Sequence, residues 1–183
     1  RLQAIPLRYL RIVATNALRQ ANNSAQFIEQ AEHILKKRIE IVAGREEARL
    51  IYLGVSHTLA EEGRRLVVDI GGGSTEFIIG ENFEPLATES LQMGCVAYTQ
   101  RFFADGNISA KALDKAIMAA RQEVMAIANA YRSLGWQSVV GSSGTIKATR
   151  QILAQNGWAS PEGFITKEGL AKVRDVVLAC KHV

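Results

Sequence analysis

The chain has 183 residues, 48% of them hydrophobic and 22% charged, with a net charge of +4, a mean hydropathy of +0.01 and a pI near 9.2. Those proportions belong to a soluble globular protein, and a chain of this length buries roughly 70% of its unfolded surface, enough for one core or two small lobes. A membrane span of about 18 apolar residues is absent, so any membrane association is expected to be peripheral.

The mild basicity fits either a solvated Lys/Arg surplus or a polyanionic partner. Specific nucleic-acid binding is not expected, because the only dense basic run, Lys36-Lys37-Arg38, closes a helical pattern. Cys95 and Cys180 lack metal-ligand spacing and a disulfide framework, and suit small apolar positions in a reducing cytoplasm. The chain opens at Arg1 without an initiator Met and ends at Val183 without a stop signal, so it reads as a fragment of a longer protein with functional parts missing.

In chain order, Tyr9 to Ala14 reads as a strand, rich in β-branched and aromatic residues. Ser24 can cap a helix running to Arg38, with Phe27, Ile28, Ala31, Ile34 and Leu35 on one face. Ile39 to Val42 is a short strand, and Glu46 to about Leu59 a helix. The polar stretch Ala60 to Arg65 is a candidate hinge. Leu66 to Ile70 is a buried strand, Phe77 to Gly80 a second, and Leu86 to Met93 a third. Ser109 can cap a long helix that Gly135 stops. Ser138 to Val140 forms another strand, followed by a helix through Gln155 and a closing helix from Thr166 to Lys181. Interleaved strands and helices give an α/β class.

Between two of those strands lies Asp69-Ile70-Gly71-Gly72-Gly73-Ser74-Thr75-Glu76. Three successive glycines cost backbone entropy. They serve either as a plain tight turn or as a nest of backbone N–H groups that binds an anion, with the Ser74 and Thr75 hydroxyls as further donors. No lysine follows, which removes the P-loop, and the glycines open a strand rather than a helix, which removes the dinucleotide fingerprint. A glycine turn at the tip of a β-hairpin resembles the phosphate loops of the actin, sugar-kinase and Hsp70 superfamily.

Asp69 and Glu76 flank this turn, where they can face a metal beside the phosphate; alternatively Asp69 bonds turn amides and Glu76 is solvated. Glu46 and Glu47 open a helix, as the macrodipole favours, and a carboxylate there can also be a general base. Arg19 follows a strand end, suited to phosphate or simply solvated. Gly141-Ser142-Ser143-Gly144-Thr145 is either a second anion nest or a tight turn.

Three segments together resemble the exopolyphosphatase and guanosine pentaphosphate phosphohydrolase family: Val68 to Glu76, Gln92-Met93-Gly94-Cys95-Val96, and Gly44-Arg45-Glu46-Glu47-Ala48-Arg49-Leu50. Gly80-Glu81-Asn82-Phe83-Glu84-Pro85 and Gly144-Thr145-Ile146-Lys147-Ala148 look closest to its bacterial exopolyphosphatase branch.

The resemblance implies an actin-like, ribonuclease H-like core of two lobes, with residues 1–60 the remainder of the first and 61–183 most of the second. The family's N-terminal phosphate loop and C-terminal helical domains are then absent, and the isolated chain is expected to be inactive or very weak. By the same resemblance Glu47 is the general base, and Asp69 and Glu76 hold or orient Mg²⁺. Gly71, Gly72, Gly73, Ser74, Thr75, Arg19, Gly144 and Thr145 are placed on phosphate, and the full-length protein is a cytoplasmic homodimer.

The expected reaction is hydrolysis of terminal phosphoanhydride bonds of inorganic polyphosphate. A second reading is cleavage of the stringent-response nucleotide guanosine pentaphosphate. A third is a non-catalytic module that binds polyphosphate or guanosine tetraphosphate.

Overall fold

The computed structural model describes residues 5–59 and 62–182. A 3₁₀ turn, Leu7–Tyr9, leads to β1 (Ile12–Ala14), α1 (Asn16–Gln20), α2 (Ser24–Leu35) and β2 (Ile39–Ile41). The chain continues through α3 (Gly44–Thr58), β3 (Arg64–Ile70), β4 (Thr75–Glu81), β5 (Glu84–Leu91) and α4 (Cys95–Phe102). It closes with α5 (Ala110–Leu134), β6 (Ser138–Ser142), α6 (Ser143–Gln155) and α7 (Lys167–Cys180).

β1 and β2 pair in parallel. The larger sheet has the order β5-β4-β3-β6, antiparallel from β5 to β3 and parallel between β3 and β6. Its core is Ala48 and Tyr52 of α3 against Val67 of β3 and Ile78 of β4, flanked by Ile51, Val55 and Val140. α3 therefore packs on the four-stranded sheet, although it precedes the stretch read as a hinge. Of that stretch Ala60 and Glu61 lie outside the described residues, while Arg64 and Arg65 belong to β3. These two arginines are tolerated in a strand because their side chains donate to carbonyls, Arg64 to Leu134 at 2.5 Å and Arg65 to Leu59 at 3.2 Å.

Several boundaries shift from the sequence expectation for local reasons. Pro6 starts the 3₁₀ turn, which shortens the first strand to Ile12–Ala14. α2 ends at Leu35 because Lys36 adopts a left-handed conformation (φ 51°), and its N-cap is Asn23 rather than Ser24. α4 has no counterpart in the sequence reading; it is eight residues long, and its N-cap is a glycine without a side chain. Two caps fall where expected. The Ser109 hydroxyl accepts from Ala112 N–H at 3.1 Å, and Gly135 ends α5 at φ 67°. The long helix is tied to the sheet by Tyr131, whose hydroxyl donates to the Phe77 carbonyl at 2.7 Å.

The hydroxyl end of the Tyr52 ring packs against Gly80, where an added Cβ would meet its Cζ at 2.2 Å, and its hydroxyl donates to Asn82 O at 3.1 Å. Replacing Gly80 with alanine forces the buried ring outward. Gly80→Ala is expected to destabilise the protein by about 1–3 kcal/mol, read as a lower urea midpoint with an unchanged slope.

Candidate active site

β3 and β4 are paired over seven residues, from Arg64↔Glu81 to Ile70↔Thr75, so only Gly71 to Ser74 remain to reverse the chain. The turn is closed by Gly71 N–H donating to Ser74 O at 3.0 Å. The same register sets Asp69 opposite Glu76, and parallel pairing sets Asp69 beside Ser142 of β6. Directly opposed residues share one face of a sheet, roughly 4.5–5.5 Å apart at Cβ. The two carboxylates flanking the glycines are therefore neighbours.

The turn borders a cleft of about 850 Å³. Its floor and flank carry Gly71, Gly72, Gly73, Ser74, Asp69, Glu76 and Glu47, and Thr15, Asn16, Gln20, Gln92, Gln100 and Ser143 add polar groups. Ala17, Ala21, Val96 and Ala97 supply the apolar wall. Among the described residues that line it there are three carboxylates and no lysine or arginine.

Glu76 is 1% exposed and accepts from Ser90 Oγ at 2.8 Å. Burial pushes its carboxyl above the usual carboxylate range, against hydrogen bonds from Ser74 and Ser90 that pull it down; the charges of Glu47 and Asp69 push it further up. Glu47 stands in the first turn of α3, where Arg19 Nη1 donates to its Oε2 at 3.1 Å and to the Val42 carbonyl at 2.6 Å.

The residues expected on phosphate separate into two groups. Gly71, Gly72, Gly73 and Ser74 line the cleft, with Ser74 3% exposed. Thr75 is buried, and its hydroxyl donates to the Met93 carbonyl instead of reaching the cleft. Arg19 lies behind Glu47, in a smaller recess of about 260 Å³ with Ala43, Gly44, Glu89, Ser90 and Gln92. Gly144 and Thr145 sit in the first turn of α6 outside the cleft lining, whereas Ser143 before them lines it in a left-handed conformation (φ 76°).

Asn16 and Gln92 escaped the sequence reading as site residues. Both fall within segments flagged for other reasons: Asn16 precedes Arg19, and Gln92 opens the Gln92 to Val96 segment. Asn16 Oδ1 rests on Gly73, 2.0 Å from where a Cβ would be, and its Nδ2 faces Gln92 Oε1 at 3.5 Å.

The donor set fits a hard divalent cation in a particular way. Among the described residues no three His, Cys, Asp or Glu side chains lie close enough to enclose an ion alone. Asp69 and Glu76, neighbours across the ladder beside the glycine turn, suit a cation such as Mg²⁺ that takes one or two carboxylates and completes its shell with substrate oxygens and water.

Sheet order, hairpin turn and cleft define an actin-like fold. The chain belongs to the Ppx/GppA phosphatase family, whose model matches residues 1–183. It is 46% identical over 182 residues to a Haemophilus influenzae protein provisionally named an exopolyphosphatase, covering 100% of this chain and 56% of that protein. It is 45% identical over 183 residues to the guanosine-5'-triphosphate,3'-diphosphate pyrophosphatase of Vibrio vulnificus, covering 100% of this chain and 36% of that protein. The chain thus spans only about a third to a half of the length of these relatives. A structure of an Aquifex aeolicus PPX-GPPA enzyme superposes with a TM-score of 0.72 at 26% identity, covering 92% of this chain and 56% of that one.

A carboxyl held above its ordinary value favours the protonated folded state, so its contribution to stability is full below about pH 4.5, the ordinary value, and is lost as pH rises through the folded value. Glu76→Gln removes that loss. The melting temperature of Glu76→Gln minus that of the wild type is expected to grow as pH rises from about 4.5 toward neutrality, in metal-free buffer.

Proposed function

We propose that the full-length protein hydrolyses terminal phosphoanhydride bonds of inorganic polyphosphate and releases orthophosphate. The observation that carries this reading is one cleft holding a glycine-hairpin turn and three carboxylates, with no basic side chain in its described lining. Such a lining repels a bare polyanion, and it is suited to a phosphate chain that arrives with a cation.

Glu47 accepts a proton from the attacking water and is held in place by Arg19. A carboxylate fits this task because it can take the proton as the oxygen bonds to phosphorus. The backbone N–H groups of the turn, with Ser74, orient the terminal phosphoryl group and meet the charge that develops on its oxygens. Asp69 and Glu76 would hold Mg²⁺, which supplies charge neutralisation at the phosphate oxygens when bound. Ser90 fixes one oxygen of the Glu76 carboxyl by donating to it.

Cleavage of guanosine pentaphosphate at its 5' end is the second reading. It is favoured by the near-equal identity to the Vibrio vulnificus pyrophosphatase, 45% against 46% for the exopolyphosphatase-named relative. The neutral wall of Gln20, Gln100, Ala17 and Val96 also has room for a group other than phosphate.

Phosphate release from long polyphosphate and from guanosine pentaphosphate, compared on full-length protein, separates the two. The polyphosphate reading expects a higher kcat/KM on the polymer, and equal or greater efficiency on the nucleotide overturns it. Glu47→Gln is expected to lower kcat by about 10²–10⁴-fold while phosphate-chain binding persists. Unchanged turnover would remove Glu47 as the base, and a wild-type protein that binds without turnover would favour a non-catalytic binding module.

A further inference from the structure

The glycine turn does not hold its shape by itself. The first three N–H groups of α4 donate to it, Cys95 to Gly71 O at 2.9 Å, Val96 to Gly72 O at 2.8 Å and Ala97 to Gly72 O at 3.0 Å. One residue earlier the approach is closer still: a Cβ on Gly94 would meet Gly72 C and O and Gly73 N, all at 2.4 Å. These are backbone atoms and cannot rotate aside. From the other side the Thr75 hydroxyl donates to Met93 O, fastening the segment before α4 to the start of β4.

These contacts have a directional consequence. In a trans peptide the carbonyl and the following N–H point opposite ways. With the Gly71 and Gly72 carbonyls turned onto α4, the N–H groups of Gly72 and Gly73 must point away from it. Gly71 N–H is already engaged within the turn. The orphan donors that would ordinarily make a helix N-terminus an anion site are consumed here in orienting the turn.

We infer that α4 is the positioning element of the phosphate site: Gly94, Cys95 and Val96 fix the direction of the Gly72 and Gly73 amides without themselves touching phosphate. This rests on the reading of the glycine turn as the phosphate cradle. It also gives a role to the main chain of the Gln92 to Val96 segment, of which Gln92 and Val96 line the cleft. The role of Cys95 is carried by its main chain; the thiol takes no part.

Cys95 offers a selective test because it is the first residue of α4, where proline is compatible with a helix. Gly94 before it is already extended (φ −123°, ψ 161°), as a residue preceding proline requires. Cys95→Pro therefore deletes one N–H and puts a ring methylene in its place, against the Gly71 carbonyl, while leaving the helix able to form. Cys95→Ala is the reference, having lost the same thiol.

Binding of a methylene-bridged tripolyphosphate analogue with Mg²⁺, measured by calorimetry on the full-length protein, is expected to be about tenfold weaker in Cys95→Pro than in Cys95→Ala, at equal helix content by circular dichroism. Gly94→Ala is expected to weaken binding in the same direction. Thr75→Val provides a pair independent of α4: it is expected to bind more weakly, and Thr75→Ser, which restores the hydroxyl, to recover most of the loss. Rescue of that kind marks positioning rather than general destabilisation. Wild-type protein that binds the analogue, with Cys95→Pro equal to Cys95→Ala or Thr75→Val equal to Thr75→Ser, overturns the inference alone. Wild-type protein that fails to bind overturns the phosphate-cradle reading and the inference with it.

Discussion

The antiparallel ladder between β3 and β4 is the constraint on which the site depends. Because pairing continues to Ile70↔Thr75, the chain must reverse within four residues, and only glycine fits some of the resulting contacts. Asn16 occupies the space that a Gly73 side chain would need. The same ladder leaves Asp69 and Glu76 no freedom in their separation. Shifting its register by one residue would send every side chain of β4 to the opposite face, taking Glu76 out of the cleft.

Bringing Glu47, Asp69 and Glu76 to one cleft has an electrostatic cost, felt at Glu76, where the charges of the other two add to the burial that holds its carboxyl above the usual range. The fold meets part of it locally. Ser74 and Ser90 donate to the Glu76 carboxylate, and Arg19 donates to Glu47 from behind. The arginine thereby offsets charge without entering the cleft, so its positive end does not occupy the space beside the turn. What remains is a surplus of negative charge directed into a polar cavity, an arrangement that favours cations and the anions that accompany them.

Much of this was legible in the sequence because it rests on local chemistry. An acid ending an apolar strand, three glycines, two hydroxyls and a second acid prescribe a hairpin turn with paired carboxylates, and the observed Asp69↔Glu76 register is that arrangement. Ser109 and Gly135 marked the ends of α5 for the same reason. The parts that were not legible depend on distant partners. Thr75 looks like a phosphate donor beside Ser74, yet its hydroxyl is taken by Met93, 18 positions away. Arg19 looks free to reach a ligand until Val42 and Glu47 arrive at its guanidinium. α4 was invisible because it is short, begins at a glycine and is held by carbonyls of a turn that precedes it by more than twenty residues.

The packing of α3 also fixes how the molecule can deform. Its first residue, Gly44, lies so close to β5 that a Cβ would be 2.5 Å from the Ser90 Cβ, and Tyr52 two turns later is locked against Gly80. Ser90 in turn holds Glu76. Glu47 is consequently fastened to the same plate as the glycine turn, whereas Asn16 and Gln20 belong to α1, next to the small β1–β2 sheet. α1 nonetheless reaches across to that plate, Asn16 onto Gly73 and Arg19 onto Glu47, so the small sheet touches both the turn and the base through one short helix. Aperture and chemical geometry are thus mechanically coupled, and a displacement of α1 that changed access to the cleft would be felt at the base and at the turn.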